Sequence, residues 1–423
     1  MNAPGGLDVT PTTRTRQALM ILRHSRTGLA LLLLALVLGA LLGVWRPDLA
    51  VQMKPLSDLF ISAIGLCTPV VMFVLVCSSV AALSDYRATA RLGLKAVGYW
   101  QLMSLLSLLV GLLVALLMQP GGGLQHMGSD WPAVPAADDG PLYSQLPGLL
   151  LDALEQSVIL KVLLVAVVCG LLLGRSGKAG QYLAPRLEQT VKQVFRVMQV
   201  IVSLAPLAAF GALAFIIGKY GLQAAVPLVK FVVVAYAACL VYLLLVPAIA
   251  LRLAGCRLQR LLGYIQEELL LVATTGSSVA ALPRLIDKLE AAGCDSQAVR
   301  LTLTAGYSFN LNGSNLYLAV AIVFLAQLAH IELGALQLGS ILLVSLLTSL
   351  GSTSVAGSAF VILTATLSVL NIVPLESIGI LIGVERLMKC RSLTNVLGNC
   401  VACVVIAHWG GKVDRHKLRE VLG

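Results

Sequence analysis

Charged side chains are scarce in this chain: Asp, Glu, Lys and Arg make up 12% of its 423 residues, against roughly 25% in an ordinary soluble domain. So few ionic groups cannot coat a water-facing surface. Hydrophobic residues at 58% and a mean hydropathy of +0.91 point instead to an exterior solvated by lipid. Acidic residues are the rarer sign, which leaves a formal net charge of +10. The Lys and Arg lie in short linkers between apolar runs, so they read as topology signals, and no nucleic-acid partner is expected. Histidine is rare as well. His24, His126, His330, His408 and His416 lie mostly in loops or near the ends of apolar runs, and neither H-E-x-x-H nor G-x-S-x-G occurs. An intramembrane enzyme therefore lacks its nucleophile–base pair or metal ligands. A channel would need rings of charge or a carbonyl filter, and nothing marks one. Of nine cysteines, Cys67, Cys77, Cys169, Cys239, Cys390, Cys400 and Cys403 fall in apolar segments, and Cys256 and Cys294 in basic linkers. None lies in a segment read as external, so no disulfide framework is expected, and the Cys400-x-x-Cys403 pair reads as core packing.

What the chain does have is long apolar runs. Residues 1–26 form a polar tail with Arg14, Arg16, Arg23 and Arg26, and the uncharged run Thr27–Trp45 reads as a first span, not a signal peptide. Six stretches, about 28–45, 59–83, 92–118, 157–174, 194–217 and 226–251, are long enough to cross. At ~1.5 Å per residue even the shortest covers roughly 27 Å. Pro69, Pro206 and Pro247 sit inside spans, where neighbouring helices can satisfy the freed carbonyls. Basic linkers (the N-terminus, Arg87–Lys95, Arg175–Arg196, Arg252–Arg260) alternate with non-basic ones. The longest non-basic linker, 119–156, carries only acidic charges and is rich in Gly and Pro. The N-terminus and residue 252 are thereby expected on the cytoplasmic side. Gly39-x-x-x-Gly43 and Gly170-x-x-x-Gly174 read as close packing.

The second half breaks the simple alternation. The apolar segment 261–283 is flanked by Arg260 and by Arg284 and Lys288, so both ends read as inside. The run 295–328 crosses outward. Segment 333–373 is flanked by Glu332 and Glu376, both outside, and 377–408 crosses back to the basic tail after Lys412. The two same-side segments are interrupted by small polar residues, Thr274–Ser278 in one and Gly351–Ser358 in the other. A kinked ordinary span is the alternative for each alone. Together they predict two oppositely directed broken hairpins, each followed by a span, the pattern of an inverted repeat around a midplane site.

Particular motifs then carry a resemblance: TTGSSVAALPR at 274–284, GYSFNLNGSNLY at 306–317, GSTSVAGSAF at 351–360 and RSLTNVLGN at 391–399, with QPGGG at 119–123, LAPLAAFGALAF at 204–215 and IGKYG at 217–221. The chain resembles the dicarboxylate/amino acid:cation symporter family, the glutamate-transporter relatives, and within it the bacterial four-carbon dicarboxylate carriers. The resemblance implies an all-α polytopic membrane protein of eight transmembrane helices plus two re-entrant helical hairpins arranged as inverted repeats. It implies a homotrimer in the cell inner membrane with both termini cytoplasmic. Residues 1–26 and 411–423 are then tails, 27–260 the six N-terminal helices, and 261–410 the core transport domain. No cofactor is called for beyond a coupling ion, proton or sodium.

Arg391 lies within the last span, where a charge costs about 2.5–3.5 kcal/mol on insertion scales and so needs a partner or a cavity. Its planar fork matches a carboxylate, and in the family the matching Arg binds an acidic substrate group. A structural pair with Glu385 or an interfacial Arg is the alternative. Asn395 follows at i+4 on the same face. Ser277 and Ser278 at the first tip, and Ser354, Val355, Ala356 and Gly357 at the second, would add hydroxyls and backbone N–H groups. Asn310, Asn312, Asn399 and Glu385 are the candidates for cation coupling.

Departures from the family pattern sharpen the expectation. Amino acid carriers place an Asp one turn before the Arg for the substrate amine; here Met388 stands there, which favours a plain dicarboxylate such as succinate, fumarate or malate over aspartate. The spacing from Glu385 to Arg391 is one residue short, and such a deletion turns a helix face by about 100° unless a bulge absorbs it. Asn312 and Asn399 replace carboxylates used by sodium-coupled relatives. Neutral amides offset sodium dehydration poorly, so Glu385 as a proton relay is expected, with sodium-coupled uptake of acidic amino acids as the alternative.

Overall fold

The computed structural model describes residues 30–84, 90–122, 155, 158–176, 178–276, 278–349, 358–370, 372–385 and 387–423. The N-terminal tail, most of the long acidic linker, Ser277 and the second tip from Ser354 to Gly357 lie outside them. Among the described residues the chain is helical throughout, with one isolated antiparallel bridge, Cys294 to Val413. Six helical stretches are long and apolar enough to cross a membrane, and a bent pair makes a seventh.

The first half is a succession of long helices, apolar except for the amphipathic α5: α1 (Ala30–Trp45), α2 (Lys54–Ser84), α3 (Ala90–Met118), α4 (Val158–Arg175), α5 (Lys178–Ser203), α6 (Ala205–Tyr220) and α7 (Ala225–Leu253). The run expected over 194–217 is not one helix. It breaks at Leu204 and bends by 41°, because Pro206 at the start of α6 has no N–H to donate and its ring clashes with the preceding turn. Pro69 and Pro247 are accommodated inside continuous helices. Gly39 and Gly43 line the side of α1 that meets α6, where a β-carbon would fall 2.7 Å from the Phe210 carbonyl oxygen and from Ile217 Cβ respectively.

After α7 the chain changes character. Helices α8 (Leu258–Tyr264) and α9 (Gln266–Thr275) run to Gly276, whose φ of +70° closes α9 in a left-handed cap. A 3-10 turn, Ser278–Ala281, leads into α10 (Leu282–Ala291). The arms double back on each other: Lys288 Nζ donates to Glu268 Oε2 at 2.7 Å and to the Tyr264 carbonyl at 2.9 Å, and the Tyr264 hydroxyl donates to the Lys288 carbonyl at 2.9 Å. Both ends of this hairpin meet the same C-terminal segment. Arg257 N donates to the Leu422 carbonyl, Asp295 N to Lys412 and Asp414 N to Gly293, and α16 (Arg415–Leu422) buries Leu418 and Leu422 there. Helices α11 (Ser296–Phe309) and α12 (Asn312–Leu328) follow. Next come α13 (Ala335–Thr348) and α14 (Ser358–Leu370), whose packing brings Thr348 Oγ1 within 2.7 Å of Thr366 Oγ1.

The stretch expected to cross as 377–408 is also interrupted. It begins as a 3-10 turn over Leu375–Leu381, continues as the short turn Ile382–Glu385, and restarts as α15 (Lys389–Trp409). Burial separates the two halves of the molecule. Only 28% of the most apolar stretch of α4 is buried, and 33% of that of α7, against 94% for Ser296–Leu328 and 94% for α15. The broken helices are thus the centre, and the unbroken ones show their aliphatic sides outward.

Candidate functional site

Three interruptions in helix converge. Between α11 and α12 the backbone leaves helical geometry at Asn310 (φ −124°, ψ 61°) and Leu311 (φ −102°, ψ 61°). Before α15 it does so at Met388, and at Gly276 the first hairpin turns. The start of α12 presses on the first turn of α15 so closely that a β-carbon on Gly313 would fall 2.2 Å from the Arg391 carbonyl oxygen. Asn395 locks this contact by accepting from Gly313 N at 2.8 Å. The hairpin tip rests beside it: Ser392 Oγ donates to the Gly276 carbonyl at 3.0 Å, Ser278 Oγ to the Ser392 carbonyl at 3.2 Å, and the Tyr307 hydroxyl to the Ser278 carbonyl at 3.1 Å. Two helix N-termini, those of α12 and α15, therefore meet at one place, which favours negative charge there.

Arg391 and Glu385 face each other across the interruption, Nη2 to Oε1 at 2.9 Å, with their side chains 11% and 7% exposed. The break at 387–388 absorbs the short spacing between them, so neither residue is rotated away. The pairing that is the alternative role for Arg391 is therefore formed, yet it leaves Nη1 buried without a partner among the described residues. The guanidinium also lies 5.8 Å from the ring centre of Tyr317, a cation–π contact.

The asparagines form a second cluster. Asn310 Nδ2 donates to Asn399 Oδ1 at 3.1 Å and Asn312 Nδ2 to Asn310 Oδ1 at 3.0 Å. Asn399 Nδ2 donates to the Asn395 carbonyl at 2.9 Å. All four are buried. The amide oxygens of Asn310 and Asn399 are thus occupied by other amides, while Asn312 Oδ1 has no partner. Asn395 is less free than its i+4 spacing from Arg391 suggests, since its oxygen holds Gly313 and its amide reaches Ser314 Oγ at 3.3 Å.

Side chains that spacing did not single out complete the site: Ser314, Asn315, Tyr317, Ser392 and Thr394. Tyr317 follows Gly313 by four residues and Asn310 by seven, a helical period that could have marked it. Ten buried side-chain polar atoms lack a partner among the described residues, and five of them, on Asn312, Asn315, Tyr317, Arg391 and Thr394, lie on these two helix starts. Buried polar groups are normally paired, so such a concentration is an arrangement awaiting something polar. A cavity of about 170 Å³ lies elsewhere, between α1, α6 and α7 and the segment before Arg391. Its lining, which includes Leu36, Ala212, Ile216, Leu228, Val384 and Leu387, is aliphatic and offers an anion nothing.

The profile of the sodium:dicarboxylate symporter family matches residues 29–409. A protein named C4-dicarboxylate transport protein from Burkholderia pseudomallei (strain 668) is 39% identical over 399 residues, covering 92% of this chain and 93% of that protein. A protein of the same name from Burkholderia cenocepacia (strain HI2424) is 37% identical over 406 residues, with 92% and 93% covered.

Proposed function

The chain belongs to the sodium:dicarboxylate symporter family, a family of transporters and not of enzymes, and from that premise we propose that it takes up four-carbon dicarboxylates together with a cation, most simply protons. The observation that carries this reading is the concentration of unpartnered buried polar atoms around Arg391, between two interrupted helices. A substrate carboxylate takes Nη1 of Arg391 in a charge-assisted bond. The neighbouring hydroxyls and amides of Thr394, Tyr317 and Asn315 receive its remaining oxygens. Ser277 and Ser278 at the first tip and Ser354, Val355, Ala356 and Gly357 at the second would add hydroxyls and backbone N–H groups to it. Met388 at the position one turn before Arg391 supplies no anion for a substrate amine.

In this reading the chain crosses the inner membrane of a bacterial cell eight times, with both termini cytoplasmic. The α8–α10 hairpin enters and leaves on one side and the α13–α14 hairpin on the other, and three copies assemble. Residues 27–260 supply the scaffold and part of the mobile unit, and 261–410 the core of the mobile unit. The attachment of residues 257, 293 and 295 to the C-terminal segment supports a first hairpin whose two ends share one side. Coupling runs through Glu385: Asn310, Asn312 and Asn399 are neutral, and the oxygens of Asn310 and Asn399 already accept from other amides, so an entering sodium ion would find only the uncharged Asn312 Oδ1 open among them. A proton on Glu385 would release Arg391 to the substrate.

The test is uptake and counterflow by purified protein in proteoliposomes, with succinate, fumarate, malate and aspartate, under a pH gradient without sodium and under a sodium gradient at equal pH. Exchange of labelled for unlabelled dicarboxylate, driven by the pH gradient alone, is the expected outcome. Uptake that appears only with sodium would remove Glu385 from the coupling role. Aspartate uptake without succinate uptake would overturn the substrate reading.

A further inference from the structure

One outward-facing stripe of α7 consists of Val229, Val233, Tyr236, Leu240 and Leu244, each at least 42% exposed. Four of these are aliphatic, as a lipid-facing stripe requires, and the fifth carries a hydroxyl. In hydrocarbon an unpaired hydroxyl is costly, and a Phe in its place would carry no such burden. The Tyr236 hydroxyl donates to the Leu387 carbonyl at 2.8 Å, and the backbone amides of Lys389 and Cys390 lie close to it. It therefore fastens α7 to the helix break that separates Glu385 from Arg391.

The break's own bonds are short in range. Leu387 N and Met388 N reach back to the Val384 and Glu385 carbonyls, and Lys389 N reaches only to Leu387. Met388 gives α15 no side-chain cap, so Tyr236 stands at the start of that helix where a cap would be. On another side Val384 and Leu387 line the aliphatic cavity of about 170 Å³, and a void gives a side chain no contacts to hold it. A turn with a cavity beside it depends on the bond that fastens it.

We propose that Tyr236 is a positioning residue for Arg391. By holding the Leu387 carbonyl it sets the turn that brings Arg391 opposite Glu385, and with it the direction in which Nη1 is offered to a carboxylate. The effect on affinity rests on the dicarboxylate reading above; the effect on the break does not. Without the hydroxyl, Arg391 is correctly placed for only a fraction of the time, and apparent affinity falls by that fraction. The loss applies to binding throughout the cycle, so half-saturation rises while the maximal rate stays near its original value. A hydroxyl that only satisfied itself in lipid would leave substrate affinity unchanged when removed.

The experiment compares wild type with Tyr236→Phe, which loses the hydroxyl and keeps the ring. Tyr264→Phe is the control, because it removes the bond to the Lys288 carbonyl at the hairpin base. Hydrogen–deuterium exchange of the purified proteins, read by mass spectrometry, reports the break without any substrate. Uptake in proteoliposomes gives half-saturation and maximal rate for succinate. Tyr236→Phe should speed exchange over residues 387–393 by about threefold to tenfold, the scale of one lost hydrogen bond. Exchange in the buried α12 should not change, which reports an intact fold. The succinate half-saturation concentration should rise by about the same factor, with the maximal rate within twofold. Tyr264→Phe should leave half-saturation within twofold. A half-saturation within twofold of wild type in Tyr236→Phe would overturn the proposal, as would an equal rise in Tyr264→Phe. If the wild type takes up no dicarboxylate, the substrate reading falls, and unchanged exchange over 387–393 would still overturn the role of Tyr236.

Discussion

Two buried carboxylates in this protein pair with cations, and their surroundings differ. At the base of the first hairpin Glu268 meets Lys288, whose ammonium also donates to the Tyr264 carbonyl, while Tyr264 returns a bond to Lys288. That knot ties two arms together. At the site Glu385 meets Arg391, but Nη1 of the guanidinium is left over, beside other unpartnered atoms. The same chemistry therefore serves two purposes. A pair closed by its neighbours holds chain segments in register, and the pair with a donor left open is the one that the proposed function gives to the substrate.

The comparison is broken most directly at Arg391. Arg391→Ala should abolish dicarboxylate uptake while the protein still reaches the membrane, since losing a buried charge-assisted contact costs several kcal/mol, about a hundredfold or more in affinity. Arg391→Lys should also be poor, because an ammonium lacks the second prong. Near-normal uptake by the Ala variant would make the Glu385–Arg391 pair as structural as Glu268–Lys288. Glu385→Gln comes next. It keeps an acceptor for Arg391 but cannot titrate, so uptake driven by a pH gradient should fall at least about tenfold while counterflow exchange persists. Equal loss of both would deny Glu385 the proton.

A smaller effect is expected at the hairpin base. Glu268→Gln should lower the melting temperature in detergent, because Lys288 loses its buried counter-charge at a cost of about 3–5 kcal/mol. The succinate half-saturation concentration should stay within twofold. A change in affinity larger than the change in stability would erase the distinction between the two pairs. The smallest effect concerns Cys256, beside the clasp at that base. Burial, with Cys294 nearby, pushes its thiol up to about 11, although Arg419 opposes the shift. In a background with the other cysteines replaced, which removes Cys294 but leaves the burial, its maleimide labelling should therefore still rise with pH above the ordinary thiol range. Leu422→Ser, which loosens the cover, should speed labelling severalfold, and a rate already maximal near pH 8 would show the clasp to be open.

Much of this was legible in the sequence, and for physical reasons. Lys and Arg avoid the hydrocarbon interior, so Arg260, Arg284 and Lys288 marked segment 261–283 as one expected to turn back on itself. The fold shows the two arms doubled back at Gly276. Small polar residues marked where helices stop, and Asn310, Asn395 and Asn399 do converge. Less legible was anything set by distance across a chain break. Spacing in an unbroken helix would rotate Arg391 away from Glu385, and the interruption at 387–388 brings them together. The tail after Lys412 read as charge alone, yet its backbone carbonyls and Leu418 and Leu422 complete the hairpin base. Backbone partners leave no signature in residue type.

That last attachment has a consequence for how the protein is made. Residue 257 leaves the ribosome long before residue 422, whose carbonyl it binds. At about 5–20 residues per second the interval is on the order of ten seconds or more. Throughout it the first hairpin has been synthesised but its base remains untied, with the backbone groups of Arg257, Gly293 and Asp295 lacking the strap that later covers them. The tying of this hairpin's base is therefore a late event in biogenesis, completed from the far end of the chain.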